Sequence, residues 1–551
     1  MLKTRLTRTA ALAALLAMLA PAPPGPAAAR GPQPPARPRL IVLLVVDQLR
    51  TSYLTEYGGT FSAGLQRLMR GGAWFTNAAY PYMNTVTCAG HATIGTGTLP
   101  HEHGMILNGW LDRRSGRTPY CTDDPSETHI SYSNLPPGQA DSPKNLLRPS
   151  LGEQVHDRGG RSVVMSLKSR SAVTLAGHEA DAVVWFDGRG GWSTSSAYTR
   201  KPVPFIQEFI DANPLSADYE KVWERSLDPG AYKYEDDAEG EGRPTGWTRT
   251  FPHPLGTPGG APDAAYYSRW QRSPFADEYL ARMGISAVDA LKLGQSETTD
   301  FLAISFSSLD LVGHAYGPRS HEVQDLLVRL DRTIGRLLDH LDRTVGAHNY
   351  VLGFSSDHGV ADLPEHVGAG GRQPGRQAFE ALSKTLQTAL GPGDHVAAVA
   401  YTDVYLAPET NRQLRRNPRA MTAAIDALRG LPAVDRVFRA DEIASSEARA
   451  SDDPVRRAAA LSYHRDRSGD LILVPKPNWL FSSAVTTHGT HHAYDREVPV
   501  IVFGASIKGG EYAGAATPAD LAPTLAAVAG VRIRRTDGRP LDEALAVPAS
   551  R

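Results

Sequence analysis

The chain has 551 residues, with 58 Lys+Arg against 59 Asp+Glu, and is 41% apolar and 21% charged. That length accommodates one large α/β domain with insertions, or two domains. The balanced charge gives no electrostatic case for nucleic acid or an anionic membrane as partner, and the composition is that of an ordinary soluble globular protein.

In chain order, Lys3, Arg5 and Arg8 precede an apolar run from Ala10 to Ala20, and a Pro/Ala stretch ends in small residues at Ala27 to Ala29. These are the three regions of a secretory signal peptide over residues 1–29. The run is too short to span a bilayer. A Pro-rich linker over 30–38 then leads into a catalytic domain over 39–545, and the mature chain is expected in the periplasm or medium with no transmembrane segment. Cys88 and Cys121 are the two cysteines, which in an exported chain are compatible with one disulfide.

Leu40–Val46 is apolar at every position and ends at Asp47, the pattern of a parallel strand buried on both faces. Phe301–Phe306, Tyr350–Phe354 and Val498–Phe503 read the same way, and amphipathic helical patterns cover Glu322–Asp342 and Thr517–Ala529. The expected class is α/β, a mostly parallel central sheet with helices on both faces. Two segments interrupt it. Residues 200–285 are rich in Pro, Gly, Tyr and Trp and read as a loop-rich insertion. Residues 372–480 read as an inserted subdomain with a strand over His395–Leu406 and a helix over Pro418–Arg429.

Asp47, Asp310 with His314, and Asp357 with His358 each follow a strand, and His488 precedes the last one. Sites in open α/β sheets form outside the carboxyl ends of strands, so these residues converge on one rim. Aspartate oxygens and imidazole nitrogens without thiolate suit zinc or a similar divalent metal. Six such groups exceed the needs of one tetrahedral ion, and two ions with an added hydroxyl oxygen fit better. Two ions roughly 4 Å apart stabilise both the attacking and the leaving oxygen of an in-line displacement. Taken singly, a strand-end Asp is often a helix cap and a lone His is often structural; their joint placement decides for metal. The nucleophile candidate is Thr87, before a small-residue segment able to start a helix whose free N–H groups favour phosphate. Spacing alone leaves Thr85 and Thr93 open, and a helix-capping role suits Thr87 equally well.

Val45-Val-Asp47-Gln, Thr87-Cys-Ala-Gly-His-Ala-Thr, Gly97-Thr-Leu-Pro-His-Glu-His-Gly104, Asp310-Leu-Val-Gly-His314, Ser356-Asp357-His-Gly359 and Thr487-His488-Gly form a set. Together they resemble the alkaline phosphatase superfamily, in the branch of threonine-dependent alkaline phosphatases related to type I phosphodiesterases and nucleotide pyrophosphatases. The resemblance implies two zinc ions, one held by Asp47, Thr87, Asp357 and His358, the other by Asp310, His314 and His488. It implies Thr87 as nucleophile through a phosphothreonine. His491 and His492 crowd the last ligand position, and the following Tyr494-Asp495-Arg favours His488. His91 and His103 lie in matching segments and read as structural.

The substrate rests on Lys168 and Arg170, which share a face if the chain stays extended. A guanidinium and an ammonium favour the dianion of a phosphate monoester, and Asn108 adds an amide donor. The three resemble the phosphate-binding trio of the threonine-dependent alkaline phosphatases, so the expected substrates are small-molecule phosphate monoesters. The alternatives are a phosphodiesterase or nucleotide pyrophosphatase of the same superfamily, a sulfatase, and a catalytically silent binding protein. The sulfatase reading fails at Cys88, followed by Ala-Gly-His-Ala without the Arg of the modified-cysteine pattern. The silent reading requires a missing ligand, and each position is filled.

Overall fold

In the computed structural model, which describes residues 37–546 apart from 134, 135, 137 and 245, Leu40–Val46 is the first strand (β1). The signal peptide and the first part of the linker lie outside the described residues. Leu40, Val42, Leu44 and Val46 enter one apolar cluster, and Ile41, Leu43 and Val45 enter the other. A strand buried on both faces needs this unbroken apolar run, since alternate side chains meet different layers. The clusters are completed by helices His321–Thr344 and Pro274–Leu291 on one face and Ser169–Ala176 and Leu521–Ala529 on the other.

The remaining strands of the main sheet are β2 (Ala73–Ala78), β3 (His129–Ser131), β4 (Ser162–Ser166), β5 (Ala182–Phe186), β6 (Trp192–Ser195), β7 (Asp300–Phe306), β8 (Tyr350–Ser355), β9 (Val500–Gly504) and β10 (Gly510–Ala516). Their order is β10-β2-β9-β8-β1-β7-β4-β5-β6-β3, with β8, β1, β7, β4 and β5 mutually parallel. The sheet is thus mostly parallel, but β9 corrects the sequence reading. It is buried as expected and yet antiparallel to both β8 and β2. Its first residue, Val500, pairs with Ser355, the last of β8. The chain before β9 therefore arrives at the carboxyl rim of the parallel strands, and it carries His488 there. A parallel β9 would have left its lead-in at the opposite edge.

The segment 200–285 is less loop-like than its composition indicates. It holds helices Pro204–Ala212 and Ala264–Trp270 and the start of the 18-residue helix Pro274–Leu291. Within 372–480 a four-stranded antiparallel sheet runs in the order Val396–Ala400, Asp403–Leu406, Leu471–Pro475, Val434–Arg439. Leu382, Leu386, Leu414 and Leu428 pack under it, the last from the helix Pro418–Arg429. The single strand read over 395–406 is a hairpin that turns at Tyr401 and Thr402.

Candidate active site

Asp47 follows β1, the helix Ser308–Tyr316 follows β7, and Asp357 and His358 follow β8, so three neighbouring strands deliver acids to one rim. Asp310 lies in the first turn of Ser308–Tyr316 and His314 one turn later, which aligns them on one face with Asp310 Oδ1 3.1 Å from His314 Nε2. The structure brings His488 to the same place, 3.8 Å from Asp310 Oδ1. His491 and His492 turn elsewhere; His492 Nε2 is 3.0 Å from the carbonyl of Pro475.

Three imidazoles share one arrangement. Nδ1 of His314, His358 and His488 lies 2.9, 3.0 and 2.9 Å from the backbone carbonyls of Thr486, Gly359 and Thr85. Donation from Nδ1 to a carbonyl leaves Nε2 as a lone-pair donor, the tautomer a metal needs. Each Nε2 faces the acids: that of His358 is 3.2 Å from Asp357 Oδ2 and 3.5 Å from Asp47 Oδ1. Burial pushes His358 down to about 4, and burial with the neighbouring His358 and His314 holds His488 well below the usual range, so both rings are neutral at pH 7; burial also lowers His314, but Asp310 outweighs it and raises that ring above its usual value.

The carboxylates are crowded. Burial, then Asp310 and Asp357, push Asp47 well above the ordinary range. Burial also opposes ionisation of Asp310, but His314 and Lys168 outweigh it and hold that acid well below its usual value. Lys168 lies between the two acids, its Nζ 2.5 Å from Asp47 Oδ2 and 2.5 Å from Asp310 Oδ2. Asp47 Oδ1 and Asp357 Oδ2 are buried without a hydrogen-bond partner. Such orphaned oxygens beside inward-facing imidazole nitrogens suit divalent cations, and the donor set of oxygen and nitrogen suits zinc. At the rim, Asp310, His358 and His488 form one group whose ligand atoms lie within 4.8 Å of one another, and Asp47, His91 and Asp357 form a second; an exposed third, His156, Asp157 and Glu179, lies elsewhere in the sequence. His91 has both ring nitrogens engaged, with the Thr87 carbonyl and with Ser305 Oγ at 2.9 and 2.8 Å. His103 is likewise fixed, between Thr93 Oγ1 and the Met105 amide.

Thr87 opens the helix Thr87–Thr96, with Val86 rather than Thr87 at the cap position, so its hydroxyl is free of a capping bond. Its Oγ1 is 3.5 Å from His358 Nε2. Thr85 and Thr93 are committed instead to the Thr490 carbonyl and to Tyr82 and His103. Gly90 lets this helix close on the rim, since a Cβ there would stand 2.2 Å from the Asp357 carbonyl. Cys88 is bonded to Cys121, and the Cys88 amide, next in sequence to Thr87, donates to Asn108 Oδ1 at 2.9 Å, which leaves the Asn108 amide hydrogens out of that bond.

Lys168 and Arg170 do not lie on an extended chain. Lys168 is the N-cap of Ser169–Ala176 and Arg170 its second residue, because the chain turns into a helix straight after β4. Lys168 reaches the acids and Arg170 remains half-buried with Nε unpartnered. Sequence reasoning gave no role to Gln48. Its amide donates to Asp357 Oδ1 at 3.1 Å and its side-chain amide to Asp310 Oδ1 at 2.7 Å, tying the two acids together. It does so with φ of +72°, a conformation uncommon outside glycine and found at functional sites. The available signal was its place directly after Asp47.

The family model described as type I phosphodiesterase / nucleotide pyrophosphatase matches residues 41–495. The alkaline phosphatase PafA of Elizabethkingia meningoseptica is 30% identical over 92% of this chain and 95% of its own. A Myroides odoratus protein named calcium-transporting ATPase is also 30% identical, over 92% and 95%. The alkaline phosphatase PhoV of Synechococcus elongatus is 28% identical over 90% and 91%. The crystal structure of wild-type PafA superposes with a TM-score of 0.84 at 30% identity, covering 92% of this chain and 99% of that one. The chain belongs to the type I phosphodiesterase / nucleotide pyrophosphatase family, in the branch that holds the alkaline phosphatases.

Proposed function

We propose that this protein is an exported alkaline phosphatase that holds two zinc ions and cleaves phosphate monoesters through Thr87. At the coarser level the chain is a phosphoric monoester hydrolase, related over about nine-tenths of its length to alkaline phosphatases. The observation that carries the finer reading is the gathering of Asp47, Asp310, His314, Asp357, His358 and His488 around the Thr87 hydroxyl, with imidazole Nε2 atoms turned inward and carboxylate oxygens unpartnered.

Asp47, Thr87, Asp357 and His358 would hold one ion and Asp310, His314 and His488 the other. Such ions supply charge stabilisation to the attacking and leaving oxygens. The Thr87 hydroxyl gives up its proton to solvent and its oxygen attacks phosphorus, the ester P–O bond breaks, and the alcohol leaves with that electron pair and takes a proton from solvent. Water then attacks the phosphothreonine, the Oγ–P bond breaks, and inorganic phosphate and the free hydroxyl are regenerated. Two in-line steps retain configuration at phosphorus. Asn108, Lys168 and Arg170 bind the non-bridging oxygens. Lys168 serves here as counter-ion to Asp47 and Asp310. It turns to phosphate once cations take over that role.

The groups at the rim are those of phosphate-ester cleavage, and among the described residues no helix is long and apolar enough to cross a membrane, which favours this reading over the transport for which the Myroides odoratus relative is named. The phosphodiesterase reading competes through the family model itself, and the Lys168/Arg170 pair favours the monoester. The test is kcat/KM for a phosphate monoester, a diester and a sulfate ester with one common leaving group, where the monoester should rank first. A diester ranking first would reverse the assignment. Export is tested by N-terminal sequencing of the mature protein, which should begin near Arg30.

A further inference from the structure

The hairpin tip formed by Tyr401 and Thr402 touches the candidate site from outside it. Ala400 pairs with Asp403, so two residues make the whole turn, and the first, Tyr401, has φ of +54°. Two-residue hairpin turns with a left-handed first position strongly favour Gly, Asn or Asp, since a bulky side chain is strained there. A tyrosine at this point needs a reason beyond the turn.

Its contacts supply one. The Tyr401 hydroxyl donates to the backbone carbonyl of His488 at 2.6 Å. Its ring lies over Gly489, where a Cβ would stand 2.7 Å from the ring, and Gly489 itself has φ of +112°. The His488 imidazole is held at its other end by the Thr85 carbonyl, on the loop that leads into Thr87. The same turn reaches that loop directly, for the Thr402 hydroxyl donates to Asn84 Oδ1 at 3.1 Å. Nearby, Ser462 Oγ accepts the Met83 and Asn84 amides at 2.9 and 3.0 Å.

We infer that Tyr401 is a positioning residue for His488: the turn accepts an unfavourable side chain so that its hydroxyl and ring fix the backbone from which the last ligand projects. The inference rests on the proposed ligand role of His488. A histidine in a loop has no helix or strand to set its direction, so a ring that blocks one side and a hydroxyl that holds the carbonyl do that work. The segment with the four-stranded sheet thereby acts on metal binding without contributing a ligand.

The test is zinc affinity, resolved by site, from competition with a chromophoric chelator on the full chain. His488→Ala should lose one tightly held zinc. Tyr401→Phe keeps the ring and removes only the hydroxyl; it should keep both ions but weaken one by about tenfold, leaving the other within about twofold. Tyr401→Gly also removes the ring, which packs against Phe481, so it should lower the melting temperature and weaken the same site at least as much as Tyr401→Phe. If His488→Ala loses a zinc while both Tyr401 variants bind as wild type does, positioning by Tyr401 is overturned and the two-zinc reading stands. Equal weakening of both sites by Tyr401→Phe would also overturn it, since that is general destabilisation. If His488→Ala keeps two tight ions, the ligand assignment falls and this inference with it.

Discussion

The buried aspartates of the helix His321–Thr344 and those of the rim differ in their partners. On the helix His321–Thr344, Asp331 accepts four backbone N–H groups, from Ser62, Ala63, Leu65 and Gln66, at 2.7–3.2 Å. On the same helix, Asp325 accepts from the Trp223 indole, the Ser226 amide and hydroxyl, the Tyr232 hydroxyl and the Arg329 guanidinium. At the rim, Asp47 and Asp357 are as deeply buried, yet each keeps an oxygen with no hydrogen bond. Burying an acid is costly unless it is paired and bonded. The helix acids meet that condition with protein groups alone and so serve to pin the chain. The rim acids leave it unmet, as do Asp277 Oδ2 and Asp495 Oδ1 elsewhere; what sets the rim apart is that its unpartnered oxygens lie within 3.5 Å of imidazole nitrogens, an arrangement that suits a cation.

Breaking each setting should give opposite outcomes. The largest effect belongs to Thr87→Ala, which removes the proposed attacking oxygen and should lower kcat on the order of 10⁴-fold or more even with zinc in excess. Thr87→Ser should retain measurable turnover. Activity of Thr87→Ala within tenfold of wild type would remove Thr87 as nucleophile.

Next is Asp325→Ala, which leaves four donor side chains or amides and a guanidinium without their acceptor. It should cost about 3–5 kcal/mol in denaturant unfolding while the surviving folded protein binds zinc normally. Asp47→Asn should do the reverse. It relieves crowding between carboxylates, so the metal-free protein should be no less stable than wild type, but zinc retention should fail. Matching stability losses in the two variants would erase the distinction drawn above.

The Cys88–Cys121 bond closes a separation of 33 residues beside Thr87. Its removal in a Cys88→Ala/Cys121→Ala variant should cost about 3.5–4 kcal/mol by the chain-entropy relation. Thiol titration of unreduced, denatured protein should find no free thiol; two free thiols would contradict the bond. The smallest single effects are those of Lys168→Ala and Arg170→Ala. Each removes a charge-assisted contact worth about 1.5–3 kcal/mol, or roughly ten- to a hundredfold in monoester kcat/KM, with diester turnover much less affected. Equal losses on both esters would move the diesterase reading ahead.

The centre of the sheet was legible in the sequence, because strands buried on both faces need unbroken apolar runs such as Leu40–Val46 and Tyr350–Phe354, whereas outer strands such as β2, β3 and β10 carry no such run. Direction was not. An antiparallel strand buried on both faces, as β9 is, carries the same run as a parallel one, and only hydrogen bonding to β8 and β2 reveals its sense. The turn at Tyr401 was hidden because neither of its residues is a turn former; the contact with His488 decides the residue there. The helix start after Lys168 carries no side-chain cap, so nothing marked the end of the extended chain. Pro274 after Ser273 did mark the start of Pro274–Leu291, but the Pro-, Gly- and Trp-rich stretch before it masked the signal. The residues at the rim were legible for a different reason. Acids and imidazoles at strand ends are chemically conspicuous, whereas Gln48, which orients two of them, is an amide that spacing alone does not single out.

The central claim, that the rim is completed by two cations, is tested most directly by elemental analysis of active protein alongside its activity. The account predicts two zinc ions per chain, activity lost in step with metal on chelation, and activity regained when zinc returns. Full activity in protein that contains no transition metal would contradict it.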